Sequence, residues 1–253
     1  MRGLSALFML SALLLFADQP ARAGSPFADW AAIIVAGDDH AHSGAHSEVF
    51  DNARRDLTTA FVKAGFSPAN IGQFTVQTGK DRPAGVLASD PRTIADQLGR
   101  ETQTAKAGCL VYFTSHGAPE GIVLGDWLYS PLAMAGLIDD ACGTRPTVVV
   151  VAACFSGVFI PPLAGSDRMV LTAARPDRAS FGCGEEDRYT FFDTCMLREL
   201  PRAHNFAVLG PAVQACVARR EHDLGATPPS EPQLWVGPQL ASDLPLLGFS
   251  TSP

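Results

Sequence analysis

No lysine–arginine cluster occurs anywhere in this chain, and 19 basic against 26 acidic residues leave a formal charge of −7. A nucleic-acid surface needs a basic stripe to neutralise phosphates, so nucleic acid is not an expected partner. Charge of either sign is sparse at 18%, against 47% hydrophobic residues, which excludes a disordered chain and suits a large covered sheet. No internal repeat is found, which sets aside solenoids and other repeat architectures. The Gly-x-Ser-x-Gly elbow of serine hydrolases is missing as well. Beyond residue 16 there is no apolar run long enough to cross a membrane.

What is present begins with Met1-Arg2, an apolar stretch from Leu4 to Phe16, and the small-residue pattern Ala21-Arg22-Ala23. A charged start, a short greasy core and an Ala-x-Ala site read as a secretory signal peptide over residues 1–23, with an uncleaved anchor as the alternative. The mature protein, residues 24–253, is then expected to be exported, periplasmic or secreted, with no membrane association after signal removal. Its length fits a single α/β domain.

Strand-like and helix-like segments alternate along that stretch, the signature of βαβ units. Strands are expected at Trp30–Ala36, Phe74–Thr78, Cys109–Ser115, from Thr147, at Met169–Ala173 and at Leu234–Val236, with a hairpin over Gly121–Tyr129. Apolar positions Val49, Phe50, Ala53, Leu57, Ala60 and Phe61 predict a helix over Ser47–Ala64. Asp90 and Pro91 cap another running to about Lys106, and further helices are expected at 131–140, 190–200 and 204–222. The proline-rich run 227–232 reads either as part of a pro-segment or as the approach to a final strand and coil.

Two strands carry chemistry at their ends. Thr147-Val-Val-Val-Val-Ala-Ala-Cys154 cannot alternate between faces, so it reads as a strand covered on both sides in a parallel sheet. Cys109-Leu-Val-Tyr-Phe-Thr-Ser-His116-Gly117 has the same design. Residues 121–145 are long enough for the crossover that a parallel neighbour requires. If the strands are adjacent, His116 and Cys154 meet at the carboxyl edge, where open α/β sheets gather their chemistry. A cysteine in apolar company is usually a small buried hydrophobe. A histidine at the same edge changes that reading, because imidazole is the group that turns a thiol into a thiolate near neutral pH.

These residues resemble the legumain-like cysteine peptidases, peptidase family C13 of the caspase/legumain clan, and in particular its bacterial members. Tyr112-Phe-Thr-Ser-His116-Gly117 is similar to the family's histidine motif and Ala153-Cys154-Phe-Ser-Gly157 to its nucleophile motif, the likeness running from about Trp30 to about Arg220. The resemblance implies a caspase/legumain-like, mostly parallel central sheet with helices on both faces. It also implies a cysteine endopeptidase acting on peptide or protein substrates through a thioester acyl-enzyme, without a cofactor. Cys154 is the implied nucleophile and His116 the base, with the backbone N–H groups of Gly117 and Cys154 as the oxyanion hole. Cleavage after asparagine, sometimes aspartate, is the family preference. Phe155 departs from the pattern, standing where legumains carry an acidic residue.

The loop Gly37-Asp-Asp-His40-Ala-His42-Ser-Gly-Ala-His46-Ser-Glu48 holds three histidines and three carboxylates. In the resembling family this loop supplies a basic residue to the specificity pocket, yet no arginine occurs here between Gly24 and Ala53. His42 or His46 stands in for it, and Ser180 matches the pocket serines on the opposite wall. An auxiliary asparagine has no match either, so a Cys/His dyad rather than a triad is expected. The same loop offers His40, His42 and His46 as ligands for a metal-dependent hydrolase, a weaker reading because its ligands all come from one loop. No metal is therefore assigned. A catalytically silent, peptide-binding version of the fold is the other alternative.

With Cys154 as nucleophile, five cysteines remain. Cys109 and Cys142 precede the two catalytic strands at the opposite sheet edge and are a feasible bridge if those strands are neighbours. Cys195 and Cys216 lie on consecutive helices and form a second candidate pair, leaving Cys183 over near the pocket.

Overall fold

The computed structural model describes residues 24–250, and the expected signal peptide lies outside the described residues. Its elements are β1 (Trp30–Ala36), α1 (Val49–Lys63), β2 (Ile71–Thr75), β3 (Leu87–Ala88), α2 (Pro91–Thr104), β4 (Gly108–Thr114), β5 (Gly117–Ala118) and β6 (Gly121–Leu124). There follow β7 (Trp127–Tyr129), α3 (Pro131–Cys142), β8 (Thr147–Ala152), α4 (Ile160–Leu163), β9 (Arg168–Thr172), α5 (Phe191–Glu199), α6 (Phe206–Leu224), β10 (Gln233–Val236) and α7 (Pro238–Asp243). None of these helices is long and apolar enough to cross a membrane.

Seven strands form the central sheet in the order β10-β9-β8-β4-β1-β2-β3, and only β10 runs antiparallel to its neighbour. The valine run divides as a doubly covered strand must. Val148 and Val150 pack with α1, α5 and α6 residues such as Leu57, Phe61, Met196 and Leu209. Val149 and Val151 pack on the other face with Ile94 and Leu98 of α2 and Met134 and Ile138 of α3. Each valine so buried contributes roughly 1.5–2 kcal/mol from apolar surface removed from water.

Local signals set the helix starts. Asp90 accepts the Thr93 N–H at 2.9 Å before Pro91, and Ser130 accepts the Ala133 N–H at 3.2 Å before Pro131. Both expected disulfides are present, with Cα separations of 6.1 Å for Cys109–Cys142 and 5.7 Å for Cys195–Cys216. The first ties the end of α3 to the start of β4, away from the carboxyl edge; the second joins α5 to α6.

The structure shifts one strand and adds a tail. β2 begins at Ile71, three residues before the expected Phe74, and pairs Ile71 to Phe74 with Ala32 to Val35. Gly72 looks like a breaker in sequence, but a Cβ there would come within 3.0 Å of Gln97 Cγ, so glycine lets α2 lie close over the strand. The proline-rich run leads into β10, after which Leu240, Leu244 and Phe249 join the core instead of forming free coil.

Candidate active site

Register alone brings the two chemical strands together. Thr114 of β4 pairs with Ala152 of β8, so His116 and Cys154 each stand two residues beyond a matched pair at the same edge. The Ser115 N–H donates to Ala152 O at 3.2 Å, and Val123 N–H donates to His116 O at 2.9 Å. The backbone is thus held by β8 of the central sheet before His116 and by β6 of the hairpin sheet at His116 itself.

The turn after β8 is sharp. Phe155 adopts φ +58°, ψ 11°, a left-handed conformation that a bulky residue enters only at a cost of about 1–2 kcal/mol. Its N–H is held by Arg178 O at 2.8 Å, and Ser156 Oγ accepts the Ala174 N–H at 3.1 Å. This bend leaves the Cys154 thiol half-buried at the sheet edge. The Cys154 N–H makes no hydrogen bond among the described residues. Gly117 lies directly against this turn, where a Cβ on it would sit 2.3 Å from Cys154 O and 3.0 Å from Ala153 Cβ.

His116 Nε2 lies 3.0 Å from the backbone carbonyl of His40. A carbonyl can only accept, so Nε2 carries the hydrogen of this contact, which leaves Nδ1 unengaged by it. Phe50 packs edge-to-face on the ring with centroids 5.0 Å apart. The Cys154 sulfur meets Ser180: it accepts the amide N–H at 3.2 Å and lies 3.5 Å from Oγ and 3.6 Å from the carbonyl O. Among the described residues its hydrogen-bond contacts are all with Ser180 and none with His116.

The histidine loop is shaped by its own carboxylates. Asp38 Oδ1 accepts from the Asp39 and His40 amides at 2.7 and 3.0 Å, and His40 Nδ1 lies 2.9 Å from Asp38 and 3.1 Å from Asp39. The Asp38 hydrogen bond, then the Asp39 charge, raise the His40 pKa above its ordinary value. The His42 N–H donates to Cys183 O at 3.1 Å and Ser43 Oγ to Glu185 at 2.6 Å, so this loop is tied to the Ser180 loop. His42 is thus brought beside the Ser180 loop. His46 is turned elsewhere: its Nδ1 meets Asp39 O at 3.1 Å, and it lines a cleft with Glu48, Gln77 and Asp81 at the end of β2. Two strands, β4 and β1, separate that side of the sheet from β8.

A metal hydrolase on His40, His42 and His46 is corrected by these positions. The His40 ring faces Asp38 and Asp39 and the His46 ring meets Asp39 O, and among the described residues the three histidines do not form a group with their ligand atoms close together. The group whose ligand atoms do lie together, within 4.8 Å, is Asp38, Asp39 and His40, and there the imidazole already bridges both carboxylates.

Cys183, unpaired as expected, packs against Ala36, Val49 and Phe50. Its thiol is pushed up to about 11, by burial first and then by the charges of Cys154 and Asp187. It is unsuited to act as a nucleophile at neutral pH.

Sequence reasoning missed two contributors. The His40 carbonyl belongs to the backbone and leaves no side-chain signature. Asp193, fully buried beneath the end of β4, accepts hydroxyl hydrogen bonds from Tyr112 at 2.7 Å, Thr114 at 2.6 Å and Thr190 at 2.8 Å. The Thr190-x-x-Asp193 spacing at a helix start was its available signal. Burial raises the Asp193 pKa, opposed by the Thr114, Tyr112 and Thr190 hydrogen bonds. A raised carboxyl stabilises the fold below its unfolded pKa, and that contribution is lost as pH rises through the folded value. Asp193→Ala strands three buried hydroxyls and is expected to lower stability by about 3 kcal/mol or more, read by urea unfolding. The gap between wild type and Asp193→Asn should be widest at acidic pH and narrow upward; a gap that widens with pH would contradict this account.

Residues 33–202 match the family model described as the Peptidase C13 family. The chain belongs to that family. No curated protein matches the sequence. Among solved structures, this C13 chain is similar to the crystal structure of caspase-1 from Spodoptera frugiperda, with a TM-score of 0.61 at 15% identity over 90% of this chain and 94% of that one. At that identity the likeness is one of fold, and it agrees with the mostly parallel sheet. Family and fold together make the C13 chain a cysteine peptidase, with peptides or proteins as its substrates.

Proposed function

We propose that this C13 peptidase is an exported endopeptidase that cleaves through a Cys154/His116 dyad. The observation that carries this reading is the Thr114–Ala152 register, which sets both residues at one sheet edge with Gly117 backbone packed on the nucleophile turn. Nδ1 of His116, left free by the His40 carbonyl, takes the thiol proton. The sulfur lone pair adds to the scissile carbonyl, and the charge moving onto oxygen is met by the N–H groups of Gly117 and Cys154. The imidazolium then protonates the departing amine, the carbon–nitrogen bond breaks, and a thioester remains for water to hydrolyse. The sulfur–histidine hydrogen bond is one that free enzymes commonly close only with substrate bound.

The residue before the scissile bond is assigned to the space between the His42 loop and the Ser180 loop, and asparagine is the proposed preference. His42 replaces the missing arginine as the basic group on that wall. The test incubates protein beginning at Gly24 with a mixed peptide library read by mass spectrometry, beside a peptidyl electrophile that labels cysteine nucleophiles. Cuts clustered after asparagine, with Cys154 labelled, are the expected result. Cuts at other residues would overturn the preference alone. No cuts, with Cys154 unlabelled, would leave a peptide-binding protein on a peptidase fold.

A further inference from the structure

We infer that Ser180, matched by sequence to a substrate pocket, is a positioning residue for the nucleophile and holds the Cys154 sulfur as a thiolate. The inference rests on the reading of Cys154 as nucleophile. Three Ser180 atoms contact the sulfur: the amide nitrogen at 3.2 Å, Oγ at 3.5 Å and the carbonyl oxygen at 3.6 Å. Their chemistry sorts them by protonation state. A neutral thiol has one hydrogen to give, and the carbonyl is the acceptor in reach. A thiolate has none, is repelled by the carbonyl, and is favoured by the donors, the fixed N–H and the freely rotating hydroxyl. When the proton leaves sulfur for His116 Nδ1, the hydroxyl hydrogen turns towards the new negative charge while the Ser180 backbone stays in place.

The contact is built into the loop rather than left to a flexible tip. Arg178 O, two residues before Ser180, accepts the Phe155 N–H at 2.8 Å and so docks the loop on the nucleophile turn itself. Phe181 O, one residue after, accepts the Phe191 N–H at 2.9 Å, which pins the loop to the start of α5. Ser180 is thereby clamped on both sides against the sulfur. A residue serving only to line a pocket would not need its amide directed at the nucleophile.

The test follows alkylation of Cys154 by iodoacetamide as a function of pH, read on the Cys154 peptide by mass spectrometry so that Cys183 does not contribute. Ser180→Ala should move the alkylation profile about one unit to higher pH, and Ser180→Thr, which keeps the hydroxyl, should return it towards wild type. Ser180→Gly serves the same comparison if the alanine variant does not fold. With a cleavable peptide, kcat should fall while KM changes little. Superimposable alkylation profiles for wild type and Ser180→Ala, with a raised KM, would overturn the inference and return Ser180 to the substrate pocket. A shifted profile in a protein that cleaves no peptide would instead sink the peptidase reading and leave this one standing.

Discussion

Cys154→Ala is expected to abolish cleavage, and His116→Ala to lower kcat/KM by about 10³-fold or more. The two changes should not compound, because the thiolate and its proton acceptor act as a unit; the double variant should be no slower than Cys154→Ala alone. Thermal melts separate chemistry from folding. Cys154 is only half-buried, so alanine there should leave the fold nearly unchanged. His116 is packed edge-on by Phe50 and bonded to His40 O, so its loss should cost some stability as well. His116→Ala retaining a tenth or more of wild-type kcat/KM, with Cys154→Ala inactive, would assign the base to another group. Full activity in Cys154→Ala would refute the mechanism outright.

Much of this arrangement was legible before any coordinate. A run of four valines has no polar face, which places β8 inside a covered parallel sheet, and the same pattern ending in His116 gives its neighbour. Cys109–Cys142 was a candidate pair on the strength of that strand adjacency and Cys195–Cys216 on that of consecutive helices, and both pairs are joined. The parts that stayed hidden are those in which backbone rather than side chain makes the contact. The His40 carbonyl that orients His116 could have belonged to any residue at that position. The loop around it reads as a histidine cluster, yet His40 pairs with Asp38 and Asp39 at the surface while His46 lines the cleft at the end of β2. Ser180 was expected in a substrate pocket by resemblance, but its amide contact with sulfur depends on how Arg178 O and Phe181 O dock the loop. Asp193 gathers its donors from β4 and the start of α5, elements 79 and 81 residues apart for Thr114 and Tyr112, a distance no local pattern spans.

Gly117→Ala is the second change expected to have a large effect, and it isolates the backbone's part in catalysis. The added methyl would fall 2.3 Å from Cys154 O and 3.0 Å from Ala153 Cβ, well inside contact, and its neighbours are main chain and buried core. Neither can yield locally, so the β5 backbone or the nucleophile turn must move apart. The proposed oxyanion donors sit on those two segments, one N–H on each, and separating them removes the paired geometry. Loss of one such donor typically costs about 10²–10³ in kcat. The variant should therefore lose about 10²-fold or more in kcat with a smaller change in KM, and about 1–3 kcal/mol of stability from overpacking. Gly99→Ala is the matched control. It lies within α2, nothing comes within 4 Å of its added Cβ, and alanine there should raise stability by up to about 1 kcal/mol and leave activity unchanged. Should Gly117→Ala keep wild-type kcat while losing stability, the glycine would be required for packing alone, and the developing charge would have to be met elsewhere along the nucleophile turn.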